Sequence, residues 1–179
     1  MRMNKTQSLD AHKVINSYDE KSLNQIFIRY GELRNAKKIT KNILDSRKKN
    51  DISTTFDLID VLKPLIPKRL KNKFLAQIFQ AIRIEVNNEL GVLKSLLKQS
   101  SSLLKPGGRL VCISYHSLED RYVKRFFQNG NFDKREDKDF FGNPLKVLNR
   151  VGRLIIPSCE EIKSNPRSRS AKLRIAQKK

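Results

Sequence analysis

His116, Ser117, Glu119 and Asp120 lie close together in the chain, directly after the mostly apolar run Arg109–Tyr115. An imidazole, a hydroxyl and two carboxylates so spaced can orient a polar substrate and accept its protons. The run before them has the texture of a short strand buried on both faces. A helix is predicted after them, with Leu118, Tyr122, Phe126 and Phe127 facing inward. His116 therefore stands where a strand ends and a helix begins, which is the ligand side of an open α/β sheet. It is expected to line a pocket; the structural alternative is a local histidine at a helix start. Ser117, with Asp120, is expected to cap the helix. Glu119 and Asp120 suit the positive end of the helix dipole. Beside His116 and Arg121 they also have the makings of a pocket rim.

Two further groups could meet an anion. Arg83, Asn87 and Leu90 share one helix face by their spacing, so the first two interrupt or flank an apolar stripe. They serve either a structural network tying this helix to the sheet or a contact with RNA or the active site. Arg167, Arg169, Lys172 and Arg174 form a basic run in which Ser168 and Ser170 separate the arginines. In an extended stretch that run could track a phosphate backbone, although such runs are often merely solvated.

Several elements must position these groups. Leu23, Ile26, Phe27 and Tyr30 follow helical spacing, with Gly31 as a stop. A second helix places Leu33, Ala36, Ile39, Ile43 and Leu44 on one face and seven lysines and arginines between Arg34 and Lys49 on the other. Ser53-Thr54-Thr55 is an N-cap cluster for a third helix with Leu58, Val61 and Leu62, ending near Pro64 and Pro67. A basic connector, 68–73, follows. From Phe74 helical spacing resumes and runs to Leu104, with a bend expected near Gly91 or Ser100–Ser102. Lys105-Pro106-Gly107-Gly108 is a turn into the strand. Residues 128–150 are polar and read as a loop. Leu154–Ile156 and Lys172–Ala176 read as short strands, with a brief helix capped by Ser158 and Glu161 between them. Helix, turn, strand, helix is the grammar of an open α/β sheet. Three strands are too few for a complete domain of that kind, so a partner or a further part of the protein is expected to supply the rest.

The 179 residues carry a net charge of +20 and are 38% hydrophobic. That balance excludes a disordered basic tail and predicts an anionic partner, nucleic acid first and an acidic membrane surface second. The terminal basic run lacks an apolar face to insert into a membrane. No run approaches the roughly 18 apolar residues of a membrane span, and no apolar stretch follows the basic start Met1–Lys5. Cys112 and Cys159 lack the spacing of a disulfide framework or zinc site, which fits a reducing cytoplasm.

Specific motifs now accumulate. Leu104-Lys105-Pro106-Gly107-Gly108-Arg109-Leu110 is similar to the turn and fifth strand of class I S-adenosylmethionine-dependent methyltransferases. Ile113-Ser114-Tyr115-His116-Ser117-Leu118-Glu119-Asp120-Arg121, continuing through Val123-Lys124-Arg125-Phe126-Phe127, resembles the signature of the ribosomal RNA small subunit methyltransferase H (RsmH/MraW) family. Phe79 to Leu90 resembles that family's F-Q-A-x-R-I-x-V-N-x-E-L, and Asn165 to Arg174 its N-P-R-A-R-S-A-K-L-R. Met1-Arg2-Met3-Asn4 is similar to a mid-chain M-R-M-D, and Tyr30-Gly31-Glu32 fits the helical segment between them. Where the family usually shows a His and a Thr-Arg pair, Lys73, Ala76 and Gln77 stand here.

The resemblance implies an α/β fold: a partial class I (Rossmann-like) sheet preceded by a small all-helical insertion domain. It implies domains at 1–72, helical and RNA-recognising, and 73–179, the later part of a catalytic domain. It implies methyl transfer from S-adenosylmethionine to the N4 amine of a cytidine in small-subunit rRNA. The family's glycine-rich cofactor loop, acidic ribose-binding residue and base-presenting loop have no counterpart in these residues, so the main cofactor contacts are expected elsewhere. The amine's lone pair is delocalised into the ring; it needs alignment, acceptors for its protons and exclusion of water, but no covalent nucleophile. Cys112 and Cys159 are therefore expected to be buried packing residues. On this footing His116, Ser117, Glu119 and Asp120 are candidate pocket residues, and Arg83, Asn87, Arg121, Arg167, Arg169 and Lys172 candidate RNA contacts; no metal site is expected. The alternative is a non-catalytic RNA-binding or ribosome-assembly module that kept the fold.

Overall fold

The structure, a computed structural model, describes residues 1–4, 6–133, 135 and 138–179. Lys5 of the basic start, and Lys134, Glu136 and Asp137 of the polar stretch 128–150, lie outside the described residues. The chain packs as two compact units, Met1–Glu89 and Leu90–Lys179.

The first unit is all helical: α1 (Ala11–Ser17), α2 (Glu20–Arg29), α3 (Ala36–Arg47), α4 (Thr55–Leu62) and α5 (Lys71–Asn87). Short polar side chains start most of these helices. The Asp10 carboxylate accepts from Lys13 N at 2.9 Å and the Asp19 carboxylate from Ser22 N at 2.6 Å. Thr54 and Asp57 form a reciprocal capping box. The apolar faces meet in one core around Val14, Leu23, Phe27, Ile39, Ile43, Leu62 and Ile78. Each such side chain, removed from water, contributes roughly 1.5–3 kcal/mol. α1 is an addition to the expected helices; at seven residues it is too short to show a helical period.

Phe74, Ile78, Ala81, Ile82 and Val86 of α5 belong to that same core. By packing, the boundary therefore falls after α5, at 89/90, rather than at the basic connector and 72/73. The expected bend near Gly91 or Ser100–Ser102 is instead at Asn88, which adopts a left-handed φ of 47°. Asn tolerates that conformation, and the chain turns there into α6 (Glu89–Leu103).

The second unit holds β1 (Arg109–Ser114), α7 (Ser117–Asn129), β2 (Leu148–Ile155), α8 (Cys159–Ser164) and β3 (Lys172–Lys178). The strand order is β1-β3-β2, with β3 antiparallel to both neighbours. β1 and β2 therefore run in the same direction. Register runs from Arg109↔Gln177 to Ser114↔Lys172 on one side and from Leu148↔Lys178 to Val151↔Ile175 on the other, where a bulge interrupts the ladder. Leu97, Val123, Phe126, Phe127, Leu148 and Ala176 form the core.

β1 is not buried on both faces. Leu110 and Cys112 pack on the core, while Val111 and Ile113 are 54% and 56% exposed. Among the described residues β1 has a ladder partner on one side only. Of the polar stretch read as a loop, 130–147 lies outside the helices and strands of the described residues, while its two ends belong to α7 and β2, where Asn149 and Arg150 are both exposed. The helix between the last two strands is present as α8, with the Ser158 hydroxyl accepting from Glu161 N at 3.1 Å. Cys159 is exposed at its start, contrary to the expectation of burial, because it occupies an outward position of that short helix; Cys112 is half-buried. Burial pushes the Cys112 thiol above its ordinary pKa. No helix among the described residues is long and apolar enough to cross a membrane.

Candidate functional site

The turn from β1 into α7 is built by reciprocal hydrogen bonds. The N-cap is His116, not Ser117: the His116 backbone is extended, and its Nδ1 accepts from Glu119 N at 3.4 Å. Ser117 is the first residue of α7 and is exposed. Glu119 answers by accepting from Tyr115 N at 3.1 Å through Oε2. The two side chains thus perform the capping-box exchange with a histidine in place of the usual hydroxyl. With Nδ1 used as an acceptor, the ring proton of the neutral imidazole is on Nε2. Nε2 is buried; it lies 3.3 Å from Glu119 Oε1 but is not aligned for a hydrogen bond. Burial alone would raise the Glu119 carboxyl pKa. The adjacent His116 side chain, together with the Tyr115 and His116 amides, outweighs it and holds the group below its ordinary value.

Asp120 anchors the turn to β3. Its carboxylate accepts from Arg174 Nε at 2.7 Å and Arg174 Nη2 at 3.1 Å, and lies 3.5 Å from Lys172 Nζ. Burial works against its charge, but the hydrogen bonds and charge of Arg174, then Lys172, lower its pKa overall. The consequence is a rigid strand–histidine–helix turn at the carboxyl end of β1, with an imidazole N–H and an ionised carboxylate held side by side. Such a pair can donate to and accept from one polar ring edge.

The structure therefore brings together His116, Glu119, Asp120 and Lys172 of the expected residues. Arg121 is exposed on α7. Arg167 and Arg169 are exposed on a 3-10 turn, Pro166–Ser170, rather than on an extended stretch. The Ser168 hydroxyl folds that turn by donating to Asn165 O at 2.8 Å. Arg83 and Asn87 lie in the first unit and are engaged there. Arg83 makes a two-pronged pair with Glu89, at 2.7 and 3.0 Å. Asn87 Oδ1 accepts from Met3 N at 2.8 Å, and its Nδ2 donates to Met1 O at 3.0 Å and Arg83 O at 2.8 Å. Arg174 had a signal in sequence only as one of a basic run; its partner, Asp120, is 54 residues away. The first unit also has a polar cleft of about 320 Å³ between Tyr18, Gln25, Arg29 and Glu85.

The second unit thus joins helices to a three-stranded antiparallel sheet of order β1-β3-β2, with a strand–histidine–helix turn on an edge strand. The chain belongs to the MraW methylase family, whose pattern matches residues 1–179. It is 52% identical over 178 residues to the ribosomal RNA small subunit methyltransferase H of Flavobacterium johnsoniae, covering 99% of this chain and 59% of that protein. It is 53% identical over 178 residues to the protein of that name from Christiangramia forsetii, with 99% and 59% covered. The same identity, 53%, holds over 179 residues against that of Amoebophilus asiaticus, with 99% and 58% covered. The chain thus spans about 59% of the length of the curated relatives it matches.

Proposed function

We propose that this chain takes part in S-adenosylmethionine-dependent methylation of the N4 amine of a cytidine in small-subunit ribosomal RNA, supplying the substrate side of the enzyme. The observation that carries this reading is the β1–α7 turn, where a buried His116 Nε2 stands beside the Glu119 carboxylate at the end of a strand. A cytidine flipped out of its RNA is read by hydrogen bonds to its polar edge and excluded from water. His116 would donate to the base, and Glu119 would hold the imidazole in its orientation. The helical unit and the +20 charge supply RNA affinity. A cytoplasmic location and the absence of a membrane partner follow from this substrate.

The residues present do not fit the cofactor itself. Gly107 and Gly108 lie at the opposite end of β1, where Gly107 N donates to Lys178 O. The acids of the turn are taken, Glu119 by Tyr115 and His116 and Asp120 by Arg174 and Lys172. Cofactor binding is therefore assigned to the part of the relatives' length that this chain does not match. The partly exposed face of β1, and its edge without a ladder partner among the described residues, suit completion by such a part.

The test is transfer of a labelled methyl group to small-subunit rRNA by this chain joined to the complementary portion of a relative. Transfer to cytidine N4 supports the proposal. RNA binding with no transfer favours the alternative, a non-catalytic RNA-binding or ribosome-assembly module.

A further inference from the structure

A shallow groove runs between α7 and β2 in the second unit. Eight residues line it: Lys124, Arg150, Arg153 and Arg174 are cationic, Phe127, Val151, Leu154 and Ile175 are apolar, and none is acidic. Arg174 is neutralised by Asp120. Lys124, Arg150 and Arg153 are exposed and make no ion pair among the described residues. Three unpaired like charges around one groove repel each other, so the fold gains nothing from gathering them in the absence of an anion.

The local backbone points the same way. The ladder between β2 and β3 shifts register between Val151 and Ile155, and Gly152 has a φ of +66°. A bulge of this kind re-aims the side chains beside it. Arg150 Nε donates to Gly152 O at 2.8 Å, which fixes the guanidinium plane while leaving both Nη groups without a partner among the described residues. A guanidinium held in advance loses less freedom when it meets an anion and presents its paired donors to two oxygens at once.

We infer that the groove of Lys124, Arg150 and Arg153 is a phosphate-binding site that grips the backbone of the RNA substrate. This inference rests on the RNA reading above and adds the residues that position the strand. Phosphodiester is favoured over a free anion because the space between these side chains is only about 10 Å³, too small to enclose an anion, so a phosphate must lie along the rim that the cations line. No base edge is read here, so the contact positions without specifying sequence.

The test uses fluorescence anisotropy of a labelled single-stranded fragment of small-subunit rRNA, titrated with the full chain at several salt concentrations. The variants are Arg150→Gln with Arg153→Gln, both exposed, and a control, Lys37→Gln with Lys41→Gln on α3. The groove variant is expected to weaken binding roughly tenfold, a loss in keeping with charge-assisted hydrogen bonds. Its salt slope should fall by about 1.4, close to 0.7 for each phosphate contact on a single strand. The α3 control should lose less. A groove variant that binds RNA as the wild type does overturns the site and leaves the RNA reading standing. A wild-type chain that binds no RNA overturns both. Full competition by millimolar inorganic pyrophosphate, with RNA held no tighter than pyrophosphate, assigns the groove to a free anion and overturns the phosphodiester. Circular dichroism melts of both variants confirm that folding is unchanged.

Discussion

Arg174 grips Asp120 with two hydrogen bonds, 2.7 and 3.1 Å long, where both residues are less than a tenth exposed. The pair joins the first turn of α7 to the central strand, and so fixes the angle at which the His116 turn leaves the sheet.

Removing one partner leaves a buried charge uncompensated. Asp120→Ala is therefore expected to destabilise the second unit by about 3 kcal/mol, measured by urea unfolding. The pH dependence has a definite sign. The folded-state pKa of Asp120 is depressed, so its stabilisation is complete above the unfolded value near 3.8 and is lost as pH falls through the folded value. Asp120→Asn should unfold at a lower urea midpoint near neutral pH and show a flatter acid limb than the wild type. An identical acid limb would remove Asp120 from the account.

His116 has two roles that substitutions can separate. His116→Ala removes the cap acceptor and should cost about 1 kcal/mol. His116→Asn restores a good cap and most of that stability, but provides no imidazole Nε2. In the completed enzyme both variants should lose methyl transfer, by about a hundredfold if the base is misplaced. Activity that returns with the asparagine cap would reduce His116 to a structural residue.

Tyr18 donates to Glu85 Oε1 at 2.9 Å, and burial first, then the Glu85 hydrogen bond and charge, raises its pKa to about 12. A spectrophotometric titration should show one tyrosine ionising near 12, lost in Tyr18→Phe. The raised value favours the neutral phenol in the fold, so this contribution is present below pH 10 and fades between 10 and 12.

Local signals were legible in sequence and long-range ones were not. Thr54 and Ser158 cap the expected helices because each places a hydroxyl three residues before its backbone partner. The sequence points to Ser117 as the cap because a histidine seldom performs that function, and only the extended backbone at 116 identifies His116. The start of β2 was hidden because Asn149 and Arg150 face solvent, and pairing with β3, not side-chain pattern, makes it a strand. The boundary at 89/90 was hidden because α5 and α6 read as one apolar period, while the break rests on the backbone of a single residue, Asn88. The groove cations had no sequence signal as a group, because Lys124 lies far from Arg150 and Arg153 along the chain and only the packing of α7 on the sheet brings them to one groove.

The most direct test of the central claim is methyl transfer itself. The chain, alone and joined to the complementary portion of a relative, is incubated with labelled S-adenosylmethionine and small-subunit rRNA, and the modified nucleoside is identified by mass spectrometry. The account predicts N4-methylcytidine from the joined protein, none from the chain alone, and about a hundredfold less from the joined His116→Asn variant. Methylation by the chain alone, or full activity without the His116 imidazole, would contradict it.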